Sequence, residues 1–378
     1  MKKDCVKWIT ISDVHLGNGR NKAFRIIANI RSFFNDYKKR TDGLDIIFIA
    51  GDLFDKLLDL ANDATGEALS WMTVFLEYCC INNIKLRIME GTPSHDWLQS
   101  RFFNMMCSAS KLPVDVQYIK TLHIEHMDDL GIDILYIPDE WSTTTDDTLT
   151  QVKQLMAEKH LSQIDIAIMH GQFAYQLPTA AIKIPKHNEA EYLAIVRYYI
   201  NIGHVHIFSS FEHIIAQGSF DRLSHNEEEK KGGIYCIANK DGTKSYTRLI
   251  NTNAKIFKTV RIRSLDKDTY ISQLDKVVEA TPIDSHIRIS AKPSHPIFLA
   301  FDEIKLRYVM YNISKHVSEA EEETVTQQLV AIDSKVGDDE LCITKDNITD
   351  MLMGAISNKF GNTNIDIEQH KKLLNTFL

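Results

Sequence analysis

Five times along this chain a short, mostly apolar run ends in a cluster of glycine, aspartate and histidine, and that repetition constrains the fold more than any other feature. The runs are residues 6–12, 44–50, 84–89, 164–169 and 198–202. Short apolar runs of this kind read as strands covered on both faces, as in a largely parallel sheet. A further strand is expected at 133–137. Helical spacing appears between the runs. In 22–37 it sets Phe24, Ile27, Ile30 and Phe34 on one face, and 64–80 and 148–159 also read as helices. Strand and helix alternating in this rhythm predict a layered α/β domain. Open α/β sheets hold their ligands at the carboxyl ends of their strands, which is where the polar clusters fall.

The first cluster is Asp13-Val14-His15-Leu16-Gly17, in which an aspartate and a histidine two residues apart can face one cation. Gly51-Asp52-Leu53-Phe54-Asp55 follows the second run: Gly51 lets the backbone turn closely and Asp52 can then bridge two cations. The third is Gly91-Thr92-Pro93-Ser94-His95-Asp96, the fourth His170-Gly171, and the fifth Gly203-His204-Val205-His206. Imidazole mixed with carboxylate suits manganese, iron or zinc better than magnesium or calcium. Two such ions about 3.5–4 Å apart activate a water and clamp a phosphate for in-line displacement. Singly, an Asp-x-His or a Gly-Asp after a strand is an ordinary turn, and His170 alone is an ordinary core or surface histidine. The five together, in this order and each at a strand end, point to a metal centre.

The pattern changes after residue 210. Runs 214–216, 233–238 and 245–250 read as short strands of an antiparallel second sheet, with Asp241-Gly242 as a turn. Residues 255–263, 267–280 and 285–289 read as a strand–helix–strand accessory unit. Beyond about residue 313 the chain turns polar, with an acidic run at 319–323, and 348–359 and 367–378 are amphipathic helix candidates.

The length of 378 residues allows two or three domains. No apolar run approaches the ~18 residues that span a bilayer, and the first residues, rich in lysine, lack the apolar core of a secretory signal. The 6 cysteines include no CxxC pair, so no zinc finger or redox motif is expected, and reduced thiols in a cytoplasm are the simplest reading. A net charge of −8 weighs mildly against nucleic-acid binding, although bound divalent ions would offset part of it.

The ordered clusters resemble the calcineurin-like metallophosphoesterase superfamily, whose motifs run D-x-H, G-D, G-N-H-D/E, H and G-H-x-H. The forms Asp13-Val14-His15-Leu16-Gly17, Gly51-Asp52-Leu53-Phe54-Asp55 and Gly218-Ser219-Phe220-Asp221-Arg222-Leu223-Ser224 are similar to those of SbcD-type double-strand-break repair nucleases. The length makes the chain look most similar to the bacteriophage recombination endonuclease subunits. The resemblance implies an α/β fold: a four-layer α-β-β-α sandwich of two mixed sheets over 1–252, a small α+β capping domain at 253–313, a linker at 314–345 and C-terminal helices at 346–378. It implies two divalent metal ions, with Mn2+ favoured. Asp13, His15, Asp52 and His206 would hold one ion. Asp52, His170, His204 and a residue of the third motif would hold the other. His95 would be the catalytic histidine that serves the leaving oxygen, oriented by Asp96. The third motif departs from the family, since Ser94 stands where asparagine is expected. Either its hydroxyl, a water or a backbone carbonyl takes that place, and looser binding of the second ion follows.

The family's partner is an SMC-like coiled-coil ATPase, for which the C-terminal helices are the candidate binding segment, though their apolar stripes serve core packing equally well. The family also implies DNA as substrate, a homodimer and a host-cytoplasm location. Leu69, Met72, Phe75 and Leu76 are available for the dimer but equally for their own sheet. Arg20, Lys22, Arg25 and Arg101 are candidate phosphate contacts or solvated faces. The expected activity is exonuclease and endonuclease processing of DNA ends in recombination, repair or replication. The alternative is a phosphodiesterase or phosphatase for small-molecule or protein phosphoesters on the same metal core, and a third reading is a scaffold that has lost catalysis.

Overall fold

The structure, a computed structural model, describes residues 3–318 apart from 60, 140 and 178–183. The linker beyond 318, the acidic run and the C-terminal helix candidates, with the partner segment assigned to them, lie outside the described residues.

The first strands and helices alternate as expected: β1 (Cys5–Ile11), α1 (Ala23–Tyr37), β2 (Ile46–Ala50), α2 (Asp63–Ile81) and β3 (Lys85–Met89). A short α3 (Pro93–Asp96) and α4 (Phe102–Ser110) lead to β4 (Val116–Ile119). Then come β5 (His123–Met127), β6 (Ile132–Ile137), α5 (Thr145–Glu158), β7 (Ile164–Gly171), α6 (Glu189–Ile195) and β8 (Val196–His204). The short β9 (Ser209–Phe211) and β10 (Ile214–Ala216) precede the hairpin β11 (Gly232–Asn239) and β12 (Lys244–Ile250). The accessory unit comprises β13 (Phe257–Arg261), α7 (Lys267–Glu279), β14 (His286–Ala291), α8 (Phe301–Arg307) and β15 (Asn312–Val317).

Two six-stranded mixed sheets result, ordered β12-β11-β1-β2-β3-β4 and β5-β6-β7-β8-β10-β9. Every residue of β2 is buried, as an interior parallel strand requires. One apolar cluster lies between the sheets, with Trp8 and Phe48 from the first meeting Tyr136 and Ile168 from the second. A second cluster packs α1, α2 and α4 on the outer face of the first sheet, and a third packs α5 and α6 on the outer face of the second. The layers are therefore helix, sheet, sheet, helix, as expected. Polar ties cross between the sheets. Asn201 of β8 accepts hydrogen bonds from Trp8 Nε1 and Thr10 Oγ1 of β1, both at 2.9 Å. Arg87 of β3, buried, donates to Glu125 of β5 at 2.7 Å.

The sequence expectations need three corrections here. Strands 214–216, 233–238 and 245–250 do not share a sheet. β11 and β12 extend the first sheet antiparallel to β1, whereas β10 runs parallel to β8 in the second. On α1, Phe24 points to solvent, and the buried stripe is Ile26, Ile27, Ile30, Phe33 and Phe34. The polar stretch assigned to a linker from 314 begins as β15, which pairs in parallel with β14 through Val317. Its residues look polar because most of them are exposed on an edge strand.

Among the described residues, no helix is long and apolar enough to cross a membrane.

Candidate metal centre

The two sheets present their carboxyl ends to one place. Asp13 and His15 follow β1, Asp52 follows β2, His95 stands on α3 after β3, and His170 and His204 end β7 and β8. Register brings the last two together, because His170 pairs with Gly203 and Gly171 with His204 across adjacent strands. The backbone is bent to aim the side chains inward. Asp13, His15, Asp52 and His204 have φ values of 50°, 53°, 50° and 91°, a region that non-glycine residues enter at a cost of about 1–3 kcal/mol and that recurs at functional sites. Gly51 is required by space as well as by its φ of 84°, since a methyl group there would collide with the His170 ring and the Gly91 backbone.

Three overlapping donor sets form: Asp13, His15 and His206; His15, Asp52 and His95; and Asp52, His170 and His204, each with ligand atoms within 4.8 Å of one another. Asp52 belongs to two of them and is the natural bridge. Its Oδ2 lies 3.8 Å from His15 Nε2, and its Oδ1 3.4 Å from His170 Nε2. On the other side, His15 Nε2 and His206 Nε2 stand 3.1 Å apart, and His206 Nε2 is 3.7 Å from Asp13 Oδ1.

In three of the rings Nδ1 faces a protein acceptor. His170 Nδ1 is 2.8 Å from the Ala50 carbonyl, His206 Nδ1 is 3.1 Å from Glu227 Oε1, and His15 Nδ1 is 3.2 Å from Asp55 Oδ1. Donating from Nδ1 of His170 and His206 fixes the tautomer and turns the Nε2 lone pair toward the centre, the usual preparation of a histidine ligand. Moreover, His170 Nε2 is fully buried and has no hydrogen-bond partner. A buried, unpartnered nitrogen facing a carboxylate fits a cation better than it fits an apolar core. These Asp and His groups can bind metal ions.

The charges agree. Burial alone would raise the pKa of Asp52, but the neighbouring His170 and a hydrogen bond from His95 hold it well below the usual carboxylate range. Burial likewise opposes charge on His206, yet Glu227 outweighs it and raises the imidazole. Glu227 is itself lowered, against its burial, by His206 and the buried Lys231.

Of the residues expected at the centre, Asp13, His15, Asp52, His95, His170, His204 and His206 are gathered and Ser94 is not. Ser94 sits on the exposed first turn of α3, where its carbonyl accepts from Trp97 Nε1. Thr92 stands inward instead. Thr92 N donates to Asp52 Oδ1 at 2.6 Å, and its hydroxyl lies 3.3 Å from Asp52 Oδ2. Asp96 also departs from expectation. It accepts from the backbone N–H groups of Asp52, Phe54 and Gly91 at 3.0, 2.9 and 2.7 Å, so it shapes the Gly-Asp loop rather than orienting His95. His95 is oriented by Asp52 directly, with Nδ1 2.8 Å from Oδ2, and its side chain remains 38% exposed.

Sequence reasoning missed Glu227, Asp139 and Thr92. Glu227 belongs to an acidic run that reads as a solvated turn, yet Ser219 Oγ buttresses it at 2.9 Å. The same Gly218–Ser224 segment anchors the accessory unit. Asp221 accepts from Asn29 of α1 at 2.6 Å and from Lys255 N at 2.7 Å, and Arg222 reaches the Lys255 carbonyl at 3.1 Å. Among the basic residues, Arg25 is engaged by Asp284 at 2.8 Å, while Arg20, Lys22 and Arg101 remain exposed.

No family model matches the chain. No curated protein matches it either. Among solved structures it is similar to GAP50, the anchor in the inner membrane complex of Plasmodium, at 13% identity over 72% of this chain and 95% of that one, with a TM-score of 0.40. Another solved chain matches at 10% identity over 65% of this chain and 99% of its own, with a TM-score of 0.37.

Proposed function

We propose that this chain is a metal-dependent DNA nuclease, an exonuclease and endonuclease subunit that processes DNA ends in recombination or double-strand-break repair with a coiled-coil ATPase partner. The carrying observation is the convergence of Asp13, His15, Asp52, His95, His170, His204 and His206 at the carboxyl ends of two facing sheets. Two divalent ions, with Mn2+ the best match to mixed imidazole and carboxylate donors, would supply an activated water and charge stabilisation for phosphodiester hydrolysis.

The chain's own residues have distinct tasks in this reading. Asp13, His15 and His206 hold one ion, His170 and His204 the other, and Asp52 both. Glu227, Asp55 and the Ala50 carbonyl fix the ring orientations. His95 is the proton donor. Its hydrogen bond to Asp52 raises its pKa, on a ring that remains open to solvent. Arg20 and Lys22 stand exposed beyond the first cluster, where a phosphate backbone can meet them.

The homodimer remains part of the proposal, through only part of the face first considered. Met72, Phe75 and Leu76 pack on their own sheet. The apolar groove between α2 and α4, lined by Leu69, Phe102, Met105 and Met106, is the better surface.

The test is cleavage of single- and double-stranded DNA by the full chain with Mn2+ or Mg2+, with and without the ATPase. Manganese-dependent cleavage is expected. His95→Ala should lose about 10²–10⁴-fold in rate while still binding metal. Full activity of His95→Ala on every DNA substrate would refute its role. Strong turnover of a cyclic nucleotide or a phosphoprotein with none on DNA would replace the nuclease reading with the small-molecule or protein phosphoesterase one.

A further inference from the structure

We infer that Asp139 is a ligand of the second cation, taking the position for which the third motif supplies no asparagine, and that Ser94 has no part in it. The inference rests on the proposed metal centre and goes beyond its donor set.

Asp139 lies just past the carboxyl end of β6, beside β7, so it reaches the centre from an edge none of the five sequence clusters occupies. Its Oδ2 stands 3.8 Å from His204 Nδ1 and 3.2 Å from the Thr92 hydroxyl, which in turn is 3.3 Å from Asp52 Oδ2. Asp52, Thr92, Asp139 and His204 thus form a continuous polar rim, and the unpartnered, fully buried His170 Nε2 points to Asp52 from below it. The Asp139 side chain is only 14% exposed, and among the described residues no lysine or arginine pairs with it. A largely buried carboxylate without a cationic side chain is costly unless a cation is supplied. The groups beside it are His204 Nδ1 and the Thr92 hydroxyl.

A carboxylate here changes the chemistry expected of the second site. A serine hydroxyl would be a weak neutral donor and the second ion loosely held. An aspartate adds a full negative charge and a hard oxygen, so the second site binds a divalent ion tightly. Asp13, Asp52 and Asp139 then share the two ions, and the Thr92 hydroxyl, with one proton to donate, lies between Asp52 and Asp139.

Manganese binding to the full chain, measured by titration calorimetry and by electron paramagnetic resonance, tests this without any substrate. Wild type should take up two ions with a spin-coupled spectrum. Asp139→Ala should retain one ion and weaken the other about 10–100-fold, with loss of the coupled signal, whereas Ser94→Ala should match wild type. Asp139→Asn separates ligation from mere positioning. It keeps an acceptor for His204 but removes the charge, so partial recovery supports ligation and full recovery means that Asp139 only positions His204. Unchanged uptake by Asp139→Ala, or second-ion weakening in Ser94→Ala, overturns the assignment. Should Asp139→Ala lack a cooperative melt, the Asn variant decides, since wild-type uptake and spectrum in it overturn ligation. Absence of Mn2+ uptake by wild type itself would instead remove the metal centre on which the inference rests.

Discussion

His170 and His187 illustrate opposite fates of a buried imidazole. His170 faces Asp52, whose charge outweighs burial and raises its pKa well above the ordinary value. His187 packs between Phe173 and Tyr192, and burial pushes it down to about 4. The sign follows from linkage. An unfolded histidine takes up its proton near pH 6.5, while the folded one resists until about pH 4. Acid therefore favours the unfolded chain across that window: the stability is present above about pH 6.5 and is lost as pH falls toward the folded value. The shift corresponds to something on the order of 3 kcal/mol. Chemical denaturation at a series of pH values should show His187→Gln with a shallower loss between these limits than wild type, and identical slopes would contradict the prediction. At this scale the sequence was legible where a residue type is rare after a strand. Gly203-His204-Val205-His206 announces itself, whereas Asp139 in a Pro-Asp turn, Thr92 in a Pro-containing loop and Glu227 in an acidic run each look like ordinary solvated turn residues. Only the fold turns them inward.

At the scale of elements, the apolar runs and their helical partners were legible because burial on both faces leaves a compositional mark. Their pairing was not. Period and propensity identify 233–238 as a strand but carry no information on which sheet receives it. That choice is set by contacts with β1, more than 220 positions earlier, as in the pairing of Cys5 with Asn239. The strand β15 was hidden for a related reason, since an exposed edge strand shows no apolar alternation. Charges buried between elements are equally invisible in sequence. Arg87 of β3 makes three contacts of 2.7–3.1 Å to Glu125 of β5, and Tyr136 of β6 donates to the same carboxylate at 2.8 Å. Removing one partner strands the other. Arg87→Ala should cost about 3–5 kcal/mol in a urea titration, and the double variant Arg87→Met with Glu125→Leu should recover much of that loss. A cost for Arg87→Ala under 1 kcal/mol, about the worth of an exposed pair, would show that the pair does not join the sheets.

For the whole molecule, the argument is one of convergence. Each sheet on its own supplies too few donors: the first contributes Asp13, His15, Asp52 and His95, the second His170, His204, His206 and, on our inference, Asp139. Packing the sheets face to face, with their carboxyl ends at one edge, makes a centre from both, and Asp52 lies where they meet. The polar ties across the sheet interface, Asn201 to Trp8 and Arg87 to Glu125, join the two sheets that carry the halves of the site. On the proposed reading the net charge of −8 is no obstacle to a phosphodiester substrate, because bound ions would offset the carboxylates that hold them. The most direct measurement is anomalous diffraction at the manganese edge from crystals of the full chain grown with Mn2+. Two peaks are predicted, one on each side of Asp52, one against Asp13, His15 and His206 and the other against His170 and His204. A map with no peak at Asp52, or with manganese bound only away from these side chains, would contradict the account.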